Sequence, residues 1–118
     1  MTTITIYEAS KELSKREQFK VKDLFSTLKL DKETAEGNEV EINVDYYAKL
    51  KVQPDDGEGY SVIVLVDKNG SIYSTGSTAF MNSFDTIVDV MEGEPFGIIV
   101  FKRESKRTGK MYIACTLA

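Results

Sequence analysis

A small barrel, mainly β, is the fold class that the sequence predicts, on three observations. Alternation of apolar and polar residues recurs along the chain, most clearly from Val40 to Gln53. Turn signals separate the alternating segments: Pro54-Asp55-Asp56-Gly57, where proline presets φ and glycine accepts positive φ, and Asn69-Gly70, a hairpin signal. One strongly helical stretch interrupts the strands late in the chain. The 118 residues are expected to form one domain, 1–118, long enough to bury a core without metal or disulfide.

The elements follow in order. Thr2–Ala9 alternates threonine and isoleucine and reads as the first strand. Ser10–Lys20 is charged and reads as a turn or loose helical segment, followed by a short amphipathic helix near 21–28, where Val21, Leu24, Phe25 and Leu28 fall at helical spacing. Asp31–Asn38 reads as a solvated loop. In Val40–Gln53, Val40, Ile42, Val44, Tyr46, Ala48, Leu50 and Val52 are expected on one face, with Tyr47, Lys49 and Lys51 on the polar one. Tyr60–Val66 has few polar breaks and is expected to be buried on both faces, with Ser71–Ser74 returning beside it. Ser77 caps a helix carrying Phe80, Phe84, Ile87, Val88 and Met91, which Gly93 stops and Pro95 keeps from restarting. Phe96–Phe101 and Met111–Leu117 close the set. This order matches an OB-fold, a five-stranded Greek-key barrel with one helix between strands 3 and 4.

Composition narrows the chemistry. The 42% hydrophobic content argues against disorder. No apolar run approaches the ~20 residues of a membrane span, and Met1–Tyr7 is too short and polar for a signal peptide, so a cytoplasmic location without membrane contact is expected. The chain has no histidine, the commonest general base and metal ligand. Cys115 is the single cysteine and reads as a small buried hydrophobe. The pairs Glu39/Glu41 and Asp55/Asp56 read as solvated strand edge and turn, and no GxxxxGK[ST] loop is present. No catalytic group, metal or cofactor is expected.

The net charge of −4 conceals a segregation. Asp31 to Glu58 holds nine acidic residues against Lys32, Lys49 and Lys51, whereas Lys102 to Lys110 holds Lys102, Arg103, Lys106, Arg107 and Lys110 against Glu104. Local basicity of this kind can guide a polyanion. Binding a nucleic-acid strand needs flat rings for bases and cations for phosphates. One set is Tyr47, Lys49 and Lys51; the other is the basic 102–110 segment with Phe101 and Tyr112 just inside it. In an OB-fold both sets fall on the usual ligand face, and Tyr60 and Tyr73 border turns of the same sheet, where core packing and base stacking are equally open to them. Phe25, Phe80 and Phe84 follow helical stripes and are expected in the core, as is Tyr46.

From Val62 onward, an apolar strand ending in DKNG leads to SIYSTGS, the helix STAFMNSFDTIVDVM and the ending PFGIIVFKRESKRTGKMYIACTL. These segments resemble the OB-fold single-stranded DNA-binding proteins of bacteriophages that infect Gram-positive bacteria. The resemblance covers about half the chain and rests mostly on the YSTGS step and the basic strand–TGK–Y–strand ending. It implies a viral protein that coats single-stranded DNA during phage replication or recombination, as a homodimer or larger homo-oligomer that can meet replication or recombination proteins in the host cytoplasm. Tyr73 and Ser74 match its YSTGS step; Lys110 and Tyr112 match its ending. The chain departs from bacterial relatives of this type, which end in an acidic partner-recruiting tail, by ending in Cys115-Thr116-Leu117-Ala118. The alternative reading is a protein-interaction adaptor on the same barrel, with residues 31–58 facing the partner.

Overall fold

The computed structural model describes residues 2–118. Its elements run β1 (Thr3–Ala9), α1 (Lys15–Lys22), β2 (Leu28–Lys29), α2 (Leu30–Glu33), β3 (Val40–Gln53), β4 (Tyr60–Asp67), β5 (Ile72–Thr75), α3 (Thr78–Met91), β6 (Gly97–Glu104) and β7 (Met111–Leu117). The expectation of five strands is corrected to seven among the described residues, curled into one half-barrel sheet of order β2-β5-β4-β3-β6-β7, with β1 on β3. All pairings are antiparallel except β2 with β5. The path β5-β4-β3-β6, three successive strands and a fourth returning beside the first, is a Greek key.

The half-barrel depends on β3. One of its edges carries β4; along the other, Val40–Asn43 pair with β6 and Ala48–Gln53 with β1. Between Val44 and Tyr46 the register with β4 slips, Val44 facing Asp67 and Tyr46 facing Val66, so that Asp45 is the extra residue of a bulge. A single inserted residue reverses which face each later side chain takes. The expected single apolar face from Val40 to Val52 is therefore split. Ile42 and Val44 enter a first core with Tyr47, Ile63, Leu65, Phe80, Phe84, Ile98, Val100 and Ile113. Tyr46, Ala48, Leu50 and Val52 enter a second with Val21, Val62, Val64 and Val66. β4 is buried on both faces as its composition predicts, odd residues in the first core and even ones in the second.

Helix α3 covers the first core. Ser77 accepts the Phe80 N–H at 3.1 Å, and the helix ends with Glu92 at φ 48 before Gly93 at φ 88, as the stop signals indicate. Phe80 and Phe84 are fully buried. At about 25 cal/mol per Å² of apolar surface, each such ring contributes on the order of 3 kcal/mol before entropy is deducted.

The second core is closed by the N-terminal segment, and here the sequence reading is wrong in register. The helix spans Lys15–Lys22, where a turn or loose helical segment was expected, and stops before most of the helix expected near 21–28. Its start is fixed by a capping box: Ser14 Oγ accepts the Glu17 N–H at 3.2 Å, and Glu17 accepts the Ser14 N–H at 2.9 Å. Asp23 ends it, Leu24–Ser26 make one 3₁₀ turn, and Leu28 begins β2. Val21 is buried, but Phe25 is fully exposed instead of lying in the core. The expected loop Asp31–Asn38 also contains structure, α2 and a 3₁₀ turn at Ala35–Gly37, anchored by buried Leu30.

Candidate nucleic-acid interface

Alternation along β6 and β7 sorts the C-terminal hairpin into two faces. Ile98, Val100 and Ile113 point into the first core, with Cys115 packed beside them. Ile99, Phe101 and Arg103, opposite Thr116, Ala114 and Tyr112 respectively, turn the other way. Phe101 and Tyr112 are therefore diagonal neighbours on one outward face, and the Arg103 guanidinium lies 5.0 Å from the Phe101 ring centre. That distance is a cation–π contact, which holds the guanidinium over the Phe101 ring.

The hairpin tip supplies charge. Ser105 N–H donates to the Lys110 carbonyl and Gly109 N–H to the Ser105 carbonyl, both at 2.8 Å, so residues 105–110 form a tight, self-bonded loop. Gly109 takes φ 71, a left-handed conformation that favours glycine. Lys106, Arg107 and Lys110 project from this loop into solvent, and none of them is in an ion pair among the described residues. Lys102 lies on the opposite, core-side face, half-buried beside Ile113. Toward β3 the outward face turns acidic, since Glu41 pairs with Ile99. The basic part of the hairpin surface is thus its tip half.

The other sequence-selected set does not form a surface. Tyr47 and Lys49 were expected on a solvent-facing polar side; the bulge at Asp45 and helix α3 place them against the first core instead. Tyr47 is 8% exposed and meets Phe84 edge-on, with ring centres 4.9 Å apart. Lys49, also 8% exposed, donates to Asp85 Oδ1 at 2.8 Å and lies 3.3 Å from Glu8 Oε2. Burial pulls the Lys49 ammonium down in pKa, but the hydrogen bonds and charges of Asp85 and Glu8 outweigh it and hold it above its ordinary value. Asp85 and Glu8 are the residues that sequence reasoning missed; they lie far along the chain, and no spacing signals their approach to Lys49. Only Lys51 of this set is exposed.

The expectation that both sets fall on one ligand face is therefore corrected. Tyr47, Lys49 and Lys51 lie on the side of β3 that faces α3, whereas Phe101, Arg103 and Tyr112 turn away from that core. Tyr73 is half-buried against the first core, and Tyr60, 53% exposed, sits at the mouth of β4 on the second-core side. The tyrosines thus occupy three separate surroundings.

No other chemistry is gathered. The described residues contain no cluster of three or more histidine, cysteine, aspartate or glutamate side chains able to hold a metal, and no helix among them is long and apolar enough to cross a membrane. Burial pushes the Cys115 thiol up to about 12, which keeps it protonated at neutral pH. Comparison of the chain with protein-family models, curated proteins and solved structures finds no match.

Proposed function

We propose that this protein binds single-stranded DNA, without strong sequence preference, through the tip half of the β6–β7 hairpin. The observation that carries the reading is the outward face on which Phe101, Arg103 and Tyr112 lie together beside the free cations of the 105–110 loop. Stacking on aromatic rings contributes roughly 1–3 kcal/mol per base and tolerates any base, and phosphate contacts add a term that salt weakens. Such a surface suits coating more than sequence reading. The role is one of binding, not of catalysis.

The fold supports the same reading at a finer level. Strands β3 to β7, with α3 between the third and fourth of them, have the connection order of an OB-fold, in which the loop joining the last two strands borders the ligand site. On this assignment β1, α1, β2 and α2 are additions, and β3, which pairs with β4 on one edge and with β6 and β1 on the other, is the shared curved strand. The resemblance of residues 62–117 to phage single-stranded DNA-binding proteins supports a role in phage replication or recombination, in the host cytoplasm and as a homo-oligomer. Fluorescence anisotropy of a labelled oligo-dT, with unlabelled single-stranded DNA, duplex DNA and RNA as competitors, tests the reading. Single-stranded DNA should compete best. Absence of binding at low salt, together with capture of one specific protein by the purified chain, would favour the adaptor reading instead.

A further inference from the structure

A second feature of the molecule lies outside the hairpin. Where β4 begins and β5 ends, the segment from Leu24 to Lys32 folds over the sheet and leaves an open cavity of about 400 Å³. That size is within the range of small-ligand pockets. Its walls are of three kinds. Leu24 and Val62 are apolar; Tyr60, 53% exposed, presents an aromatic ring; and Lys29 and Lys32 bring two ammonium groups.

The charge of Lys29 is unusual in how it is held. Its Nζ donates to the Leu24 carbonyl, to Thr27 Oγ1 at 2.8 Å and to Ser74 Oγ at 3.4 Å, all neutral oxygens, and it forms no ion pair among the described residues. Thr27 and Ser74, themselves buried, are linked at 2.6 Å, so the ammonium is fixed by a rigid pair of hydroxyls. Asp31, the only carboxylate among the described residues that line the cavity, accepts the Thr75 hydroxyl at 2.9 Å. Two cations against one engaged carboxylate leave the cavity net positive. Lys32, exposed at its rim, is free to move toward a ligand.

A positioned cation, a mobile one, an aromatic ring and an apolar wall within one small cavity match a ligand that is aromatic at one end and anionic at the other. We propose that this cavity binds a nucleotide, its base against Tyr60 and the apolar wall and its phosphate held by Lys32, with the positive charge of the fixed Lys29 ammonium behind it. The nucleotide can be one residue of a bound strand or a free mononucleotide. The ligand class accords with the DNA-binding reading, but the site is separate from the hairpin and can stand without it.

The test titrates the full chain with thymidine monophosphate, thymidine and inorganic phosphate, following amide shifts by NMR. The monophosphate should perturb Tyr60, Gly76 and their neighbours and bind more tightly than either fragment. Tyr60→Ala and Lys32→Ala, both at exposed positions, should each weaken it at least fivefold while the fold is retained; Lys29 is left intact because it ties Thr27 to Ser74. Oligo-dT that displaces the monophosphate identifies a strand subsite, and oligo-dT that binds without displacing it identifies a free-nucleotide site. Binding of the monophosphate with no binding of oligo-dT would keep this inference and remove the coating role. No shift near Tyr60, or equal affinity in both variants, would overturn the inference even if the hairpin binds DNA.

Discussion

The ring of Tyr47 meets the ring of Phe84 edge-on, at 84° and 4.9 Å between centres, and this contact joins β3 to the helix that covers the core. An aromatic side chain so placed is a structural element. Its environment also raises the Tyr47 hydroxyl pKa, by burial first and then by the charge of Glu8.

Truncating that ring should therefore cost stability. Tyr47→Ala is expected to lose about 3 kcal/mol, the scale of a large-to-small aromatic change in a packed core, and Tyr47→Phe well under half of that. Urea denaturation measures both. Equal stability of Tyr47→Ala and the native chain would mean that the strand does not pack as described.

The start of α1 should respond to acid. Glu17 is held down to about 2 from its ordinary 4.5, chiefly by the hydrogen bond from Lys11 at 2.7 Å and then by the Ser14 N–H. Because the folded pKa is lowered, its contribution to the cap is complete above about 4.5 and is lost as pH falls toward 2. An NMR titration of the Glu17 carboxyl should show a midpoint near 2, moving upward in Lys11→Ala. A midpoint at or above 4.5 in the native chain would contradict the cap.

The three cations of the hairpin tip should appear in the salt dependence of binding. Replacing Lys106, Arg107 and Lys110 together by glutamine should reduce the slope of log affinity against log salt by about 2, at roughly 0.7 per phosphate contact on a single strand. The affinity should fall most at low salt. An unchanged slope would place the phosphates elsewhere on the molecule.

How far the sequence could be read depends on what each local pattern encodes. Segments whose signal is chemical were legible: the cap at Ser77, the stop at Gly93, the β4 run and the hairpin around residues 105–110 all lie where their residues indicate. Segments whose signal is a phase were not. Tyr46 and Tyr47 are both apolar enough to face a core, so alternation through β3 reads equally well in either phase, and the bulge at Asp45 that selects the second phase leaves no mark in the residue types. Phe25 shows the same weakness: helical spacing placed it in the core, but the Ser14-x-x-Glu17 capping box starts the helix at Lys15, well ahead of the expected 21–28. That signature was present in the sequence and outranks spacing, because it fixes hydrogen bonds and not just a stripe. Phe101, Arg103 and Tyr112 share one face because they are local neighbours on a single hairpin, although Lys102, one residue along, falls on the other. The Tyr47 cluster failed because its surroundings, Phe84 and Asp85, come from distant chain.

The central claim is that DNA lies on the face shared by Phe101, Arg103 and Tyr112. Oligo-dT affinity, measured by anisotropy at low salt for the native chain, Phe101→Ala and Tyr112→Ala, tests it most directly. The native chain should bind, and each substitution should weaken binding by about 1–3 kcal/mol, with each variant's unfolding curve recorded alongside. Native affinity in both folded variants would contradict the account.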